Sequence, residues 1–139
     1  MNEPASYISD INPEFIVFIL FNGDDKYNEL QQIIPPEDIA ITVFGEKHVF
    51  VDGERMMGYT KHHLKFIEAH EIAHHELGHR RYGDPEFEKE ADLAAFILLR
   101  WHNHNEASDI VIDEFEGRHG IDFETYFKEN EKRISEKLQ

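Results

Sequence analysis

Ala69-His70-Glu71-Ile72-Ala73-His74-His75-Glu76-Leu77-Gly78-His79 spells H-E-x-x-H twice in overlap, and the run commits the middle of the chain to a helix. Positions i and i+4 share a helix face, so a His pair at that spacing aims two imidazoles at a single ion, with the intervening Glu beside it where water would sit. Two frames compete, His70/Glu71/His74 and His75/Glu76/His79, and one ion cannot occupy both.

The flanking residues favour the first frame. Gly78 falls four residues after His74, where glycine ends a helix cheaply in the left-handed region. Asp84-Pro85-Glu86 then opens a second helix, with Asp as N-cap, Pro at the first helical position and acid in the first turn. Glu88 lies four residues past Asp84, so it and His74 each sit about one turn, ~6 Å, from the loop of an antiparallel helix pair. The second frame leaves almost no loop before Pro85 and sets Arg80 and Arg81 behind a ligand, where they oppose a divalent cation. Gly83 could also stop a helix, which keeps that frame open. On the second helix Glu88 and Asp92 stand at i and i+4, so Glu88 can supply a third ligand and Asp92 can accept from a ligand imidazole.

With no Cys in the chain, a transition metal such as zinc must be held by His and carboxylates, and a disulfide scaffold is excluded. The composition suits a reducing cytoplasm. A length of 139 residues predicts one domain, residues 1–139. The net charge of −15 argues against nucleic acid and for a basic protein or peptide partner. The longest apolar run, residues 15–21, is far too short for a membrane span, and Glu3 and Asp10 stand where a signal peptide would be basic. A soluble, cytoplasmic protein without a membrane partner is expected.

The rest of the chain predicts an α+β fold with a small antiparallel or mixed sheet. Residues 1–12 read as a loosely held end, and 15–21 as a buried strand. Tyr27, Leu30, Ile33 and Ile34 recur at helical spacing until Pro35-Pro36 stops them. Residues 39–44 and 47–51 form a hairpin around Gly45-Glu46, which Asp52-Gly53 ends, and Thr60 caps a helix beginning near Lys61. Within the C-terminal helices, 106–138, Ser108 and Asp109 open a short helix that Gly117-Arg118-His119-Gly120 breaks. Asp122 caps the last helix, with Phe123, Phe127, Ile134 and Leu138 inward and the pairs Glu124/Lys128 and Glu129/Arg133 on its surface. His62, His63, His75, His79 and His104 are expected on the surface.

Phe66-Ile67-Glu68-Ala69-His70-Glu71-Ile72-Ala73-His74, the trailing Leu77-Gly78-His79 and the later Glu88-Lys89-Glu90-Ala91-Asp92 through Leu99 resemble the ImmA/IrrE zinc-metallopeptidase family. The likeness covers residues 38–100 and selects the first frame. It implies a zincin-like helical core beside a small sheet, with His70, His74 and Glu88 as Zn2+ ligands, Glu71 as catalytic base and Asp92 orienting the first His, as in gluzincins. The gap from His74 to Glu88 is short for gluzincins, which leaves Glu90 as the alternative ligand. An oxyanion donor is sought among His119, Tyr82 and Tyr126.

The leading expectation is therefore a zinc endopeptidase acting on a specific protein; by the resemblance, a transcriptional repressor. Two other classes stay open: a non-catalytic metal-binding regulator, and an acidic protein-interaction domain without metal.

Overall fold

The computed structural model describes residues 4–43, 45–81 and 83–139. Among the described residues, four strands and six helices follow one another as β1 (Ala5–Ile8), β2 (Ile16–Leu20), α1 (Tyr27–Ile33), β3 (Ala40–Thr42), β4 (His48–Asp52), α2 (Gly53–Met56), α3 (Lys61–Glu76), α4 (Pro85–Trp101), α5 (Asn105–His119) and α6 (Phe123–Leu138). The class is α+β, and the sheet is mixed. Its order is β1-β2-β4-β3, with β2 and β4 parallel and both outer pairs antiparallel.

Strand alternation divides the apolar residues between two cores. Val17, Val49, Val51 and Ala40 point towards α3 and α4, where they join Phe66, Ile72, Leu93 and Leu99. Leu20 and Ile41 point the other way and are covered by Leu30 and Ile34 around α1. The 39–44 and 47–51 hairpin forms as expected, with Phe44 outside the described residues and Asp52 accepting from the Glu54 and Arg55 amides to cap α2. Thr60 and Asp84 cap α3 and α4 as their sequence context predicts.

Three expectations fail for identifiable reasons. The N-terminal end is not loose: β1 pairs with β2, because Tyr7 (2.6 Å) and Ser9 (2.5 Å) donate to the fully buried Glu68 of α3, which Lys65 also contacts at 3.0 Å. The helix after residue 104 is not short. Gly117 is helical within α5, where the buried Val111 and Phe115 outweigh its roughly 1 kcal/mol propensity cost. Only Gly120, at φ 67°, ends the helix. Finally, Arg133 does not pair with Glu129 but reaches Glu90 of α4 at 2.6 Å, while Glu124/Lys128 forms at 3.1 Å.

Among the described residues, no helix is long and apolar enough to cross a membrane.

Glu68 ties β1 to α3 through a buried charge, so removing it strands two hydroxyls at the core boundary. Glu68→Ala is expected to cost about 3 kcal/mol in urea unfolding, close to that of breaking a buried ion pair. Amide exchange should rise first at Ala5–Ile8; unchanged exchange there would contradict the tie.

Candidate metal centre

The end of α3 carries the geometry that the sequence anticipates. His79 N–H bonds the His74 carbonyl (3.0 Å) and Gly78 N–H bonds that of His75 (3.1 Å), with Gly78 at φ 72°. These two bonds are the Schellman closure of a helix end, available here because glycine has no Cβ to clash in the left-handed region. The chain then turns back, and α4 runs beside α3 with Glu88 level with His74.

Three side chains converge as a result. His70 Nε2 lies 3.1 Å from His74 Nε2, and Glu88 Oε1 and Oε2 lie 3.3 and 2.9 Å from these two nitrogens. Four ligand atoms held tetrahedrally by bonds of about 2.05 Å would stand ~3.3 Å apart, so the spacing is close to that of a filled coordination shell. His70, Glu71 and His74 offer ligand atoms within 4.8 Å of one another, and all three are buried. Glu71 and Glu88 thus both border the spot. Glu88 touches both imidazoles, while Glu71 receives a backbone hydrogen bond from Thr42 on β3; Glu88 is the better placed third ligand.

The outer contacts fix which nitrogen of each imidazole faces the cluster. Asp92 Oδ1 accepts from His70 Nδ1 at 2.8 Å, leaving the His70 Nε2 lone pair on the cluster side. The same carboxylate accepts from Arg118 Nη2 (2.6 and 2.8 Å) and from His119 Nε2 (3.1 Å). Burial pushes the Asp92 carboxyl up, yet its bonds to His119 and His70 and the Arg118 charge hold it well below the usual carboxylate range. His74 Nδ1 meets His79 Nδ1 at 3.0 Å, and His79 Nε2 donates to Glu90 Oε1 at 2.9 Å. Burial lowers the pKa of both His74 and His79. With His79 protonated at Nε2, the shared proton comes from His74 Nδ1, and the His74 Nε2 lone pair also faces the cluster. With both imidazoles neutral, two lone pairs and a carboxylate meet without a donor, an arrangement that a metal ion or a proton on His70 relieves. The residues present fit a bound metal ion.

Without an ion the cluster takes up a proton. Burial works against protonation of His70, but hydrogen bonds to Asp92 and Glu88 override it and raise its pKa to about 10.

Several sequence expectations change here. His79 is not a surface residue: it is buried and stacked on Phe87, ring centroids 4.1 Å apart. The Gly at its helix end held the signal, since a Schellman closure returns the residue after the glycine onto the helix, here onto His74. The other histidines named with it are half-buried, His62, His63 and His104 against carboxylates and His75 against the Phe15 ring and the Glu46 carbonyl. Glu90 turns from the cluster to His79 and Arg133. The second H-E-x-x-H does not assemble, because His75 turns to the Glu46 carbonyl and His79 to His74 and Glu90, while Glu76 is exposed and bonds Asn12. Of the donor candidates, His119 is turned onto Asp92 and Tyr126 is packed on Phe115, its hydroxyl pushed up to about 12 by burial. Tyr82 lies outside the described residues. Arg118, unremarked in the sequence, instead lines the cleft beside His70. That cleft, of about 480 Å³, is bordered by the β3 residues Ala40 and Ile41, by Tyr59 and His63, and by the acids Glu37, Asp38 and Glu114.

Searches against protein-family models, curated proteins and solved structures find no match to this chain.

His75→Ala should leave metal stoichiometry unchanged, whereas His70→Ala or Glu88→Ala should bring it near zero in elemental analysis of the purified protein. The opposite pattern would move the site to the second frame. Because His70 must shed its proton to coordinate, metal binding at pH 7 should release at least one proton. Titration calorimetry in buffers of different ionisation enthalpy measures it, and affinity should strengthen as pH rises towards the His70 pKa.

Proposed function

We propose that this chain is a zinc-dependent endopeptidase with a zincin-like core, acting on a specific protein substrate. The observation that carries the reading is the separation of two carboxylates at one buried spot: Glu88 against both imidazoles, and Glu71 held apart by Thr42 yet facing the same cleft. That division suits one ligand and one base. His70, His74 and Glu88 would hold the ion, a nitrogen and oxygen donor set that suits zinc. Zinc, when bound, would supply Lewis acidity and lower the pKa of a water it holds to about 7.

The residues of the chain supply the rest. Burial raises the Glu71 carboxyl to about 8 in the ion-free protein, which makes it a stronger base than a solvated glutamate. Glu71 accepts the proton of the attacking water and returns it to the departing amine. β3 lies at the margin of the sheet and borders the cleft, so an extended peptide can align on it as an added strand. Glu37, Asp38 and Glu114 give the cleft an acidic rim, which supports a basic substrate. The resemblance of residues 38–100 to the ImmA/IrrE family supports the same class and suggests a basic repressor as substrate.

Glu71→Gln tests the reading. The variant should keep one equivalent of zinc while cleavage of a basic peptide library, followed by mass spectrometry, falls by about 10³-fold. A variant that cuts as well as the parent would remove Glu71 from the chemistry. A zinc-loaded parent that cuts nothing, protein substrates included, would favour a metal-holding regulator.

A further inference from the structure

His74 is held by an outer chain that ends on α6, well beyond residues 38–100. The chain runs from His74 Nδ1 to His79 Nδ1 (3.0 Å), from His79 Nε2 to Glu90 Oε1 (2.9 Å), and from Glu90 Oε2 to Arg133 Nη1 (2.6 Å). Arg133 Nη2 is itself held by Asn130 Oδ1 at 2.8 Å. We infer that His79 and Glu90 are positioning residues for the ligand His74, and that Arg133 fastens the C-terminal helix α6 to the metal site. This rests on the metal-site reading above and extends it to residues that touch neither ion nor substrate.

Direction runs inward from the carboxylate. A carboxylate only accepts, so the His79 proton sits on Nε2 and its Nδ1 is left as an acceptor. That acceptor requires a proton on His74 Nδ1, which leaves His74 Nε2 as the one nitrogen able to bind metal. Arg133 keeps Glu90 turned towards His79 by occupying its second oxygen. The Phe87 ring, parallel to His79 within 9°, prevents the imidazole from swinging out of line. His70 needs no such chain, because Asp92 reaches its Nδ1 directly. The two ligand imidazoles are thus oriented by different devices, one by a carboxylate directly and one through an intervening imidazole.

The chain makes a prediction that a mere packing role does not. His79→Phe keeps a ring on Phe87 but removes the acceptor, and should weaken zinc binding by roughly 10- to 100-fold in competition with a chelating indicator, the range expected of an outer partner. His79→Asn, whose side-chain oxygen stands near the lost Nδ1, should recover part of that loss. Arg133→Ala, at an exposed position, should weaken zinc by about 3-fold, less than loss of a direct partner. Long-range proton–nitrogen NMR of the zinc-free protein should find the proton of His74 on Nδ1 and that of His79 on Nε2. Zinc binding of parental strength in His79→Phe would overturn the inference, and so would a His74 Nδ1 without a proton. If His79→Phe failed to fold, Arg133→Ala and the parent's tautomers would still decide. A parent protein showing these tautomers but binding no zinc would sink the metal reading and support the hydrogen-bond chain.

Discussion

Two imidazole lone pairs and a carboxylate facing one another across about 3 Å repel unless a metal ion or a proton lies between them, and the packing of α3 against α4 holds them together. Small residues make the approach feasible. Ala69 and Ala73 on α3 and Ala91, Ala94 and Ala95 on α4 are all fully buried, so the helices can pack closely enough for side chains to meet across the pair. Ile72, Leu93 and Leu99 surround this contact with close-packed apolar volume, each wholly out of water. The hydrophobic core therefore sustains an arrangement of acceptors that would fly apart in solution.

Buried carboxylates serve as the other organising device in a chain with so many of them. Glu68, Asp52 and Asp92 are all fully buried, and each joins segments distant in sequence. Glu68 draws Tyr7 and Ser9 onto α3. Asp52 accepts from Gln31 at 2.6 Å and pairs with Arg55 at 3.2 Å, locking α1 to the end of β4. Asp92 gathers His70, Arg118 and His119, so the last turn of α5 closes over the back of the candidate metal centre. A buried anion without such partners would cost several kcal/mol, which is why each has three or more. One pattern thus explains both the fold's long-range ties and the outer support of the site.

The sequence was most legible where a few neighbouring residues decide the outcome. Thr60, Gly78, Asp84 and Pro85 set the ends of α3 and α4, and counting from those ends placed Glu88 level with His74. The same count offered Asp92 as acceptor for a ligand imidazole, and the family resemblance pointed to His70 as the one. The N-terminal strand was not legible, since Ala5–Ile8 has no alternation of its own and is held by Glu68, about sixty residues away. Nor was Arg118, because a Gly-rich stretch read as a break in α5 hid a helix end whose basic side chains reach inward. His79 lay between: its glycine predicted the turn but not the ring it would meet.

By itself, the sequence determined the helix that presents His70, Glu71 and His74, where that helix stops, and where the next begins. Each of these follows from hydrogen bonds and steric limits that act within four or five residues. Tertiary structure decided which of the chain's 29 acidic side chains face inward and what each one holds. That includes Glu88 rather than Glu90 on the imidazoles, Glu90 with Arg133 behind His79, and Glu68 under the first strand. A carboxylate looks the same in the sequence wherever it lies, and only packing sets its distance, its burial and the donor it meets.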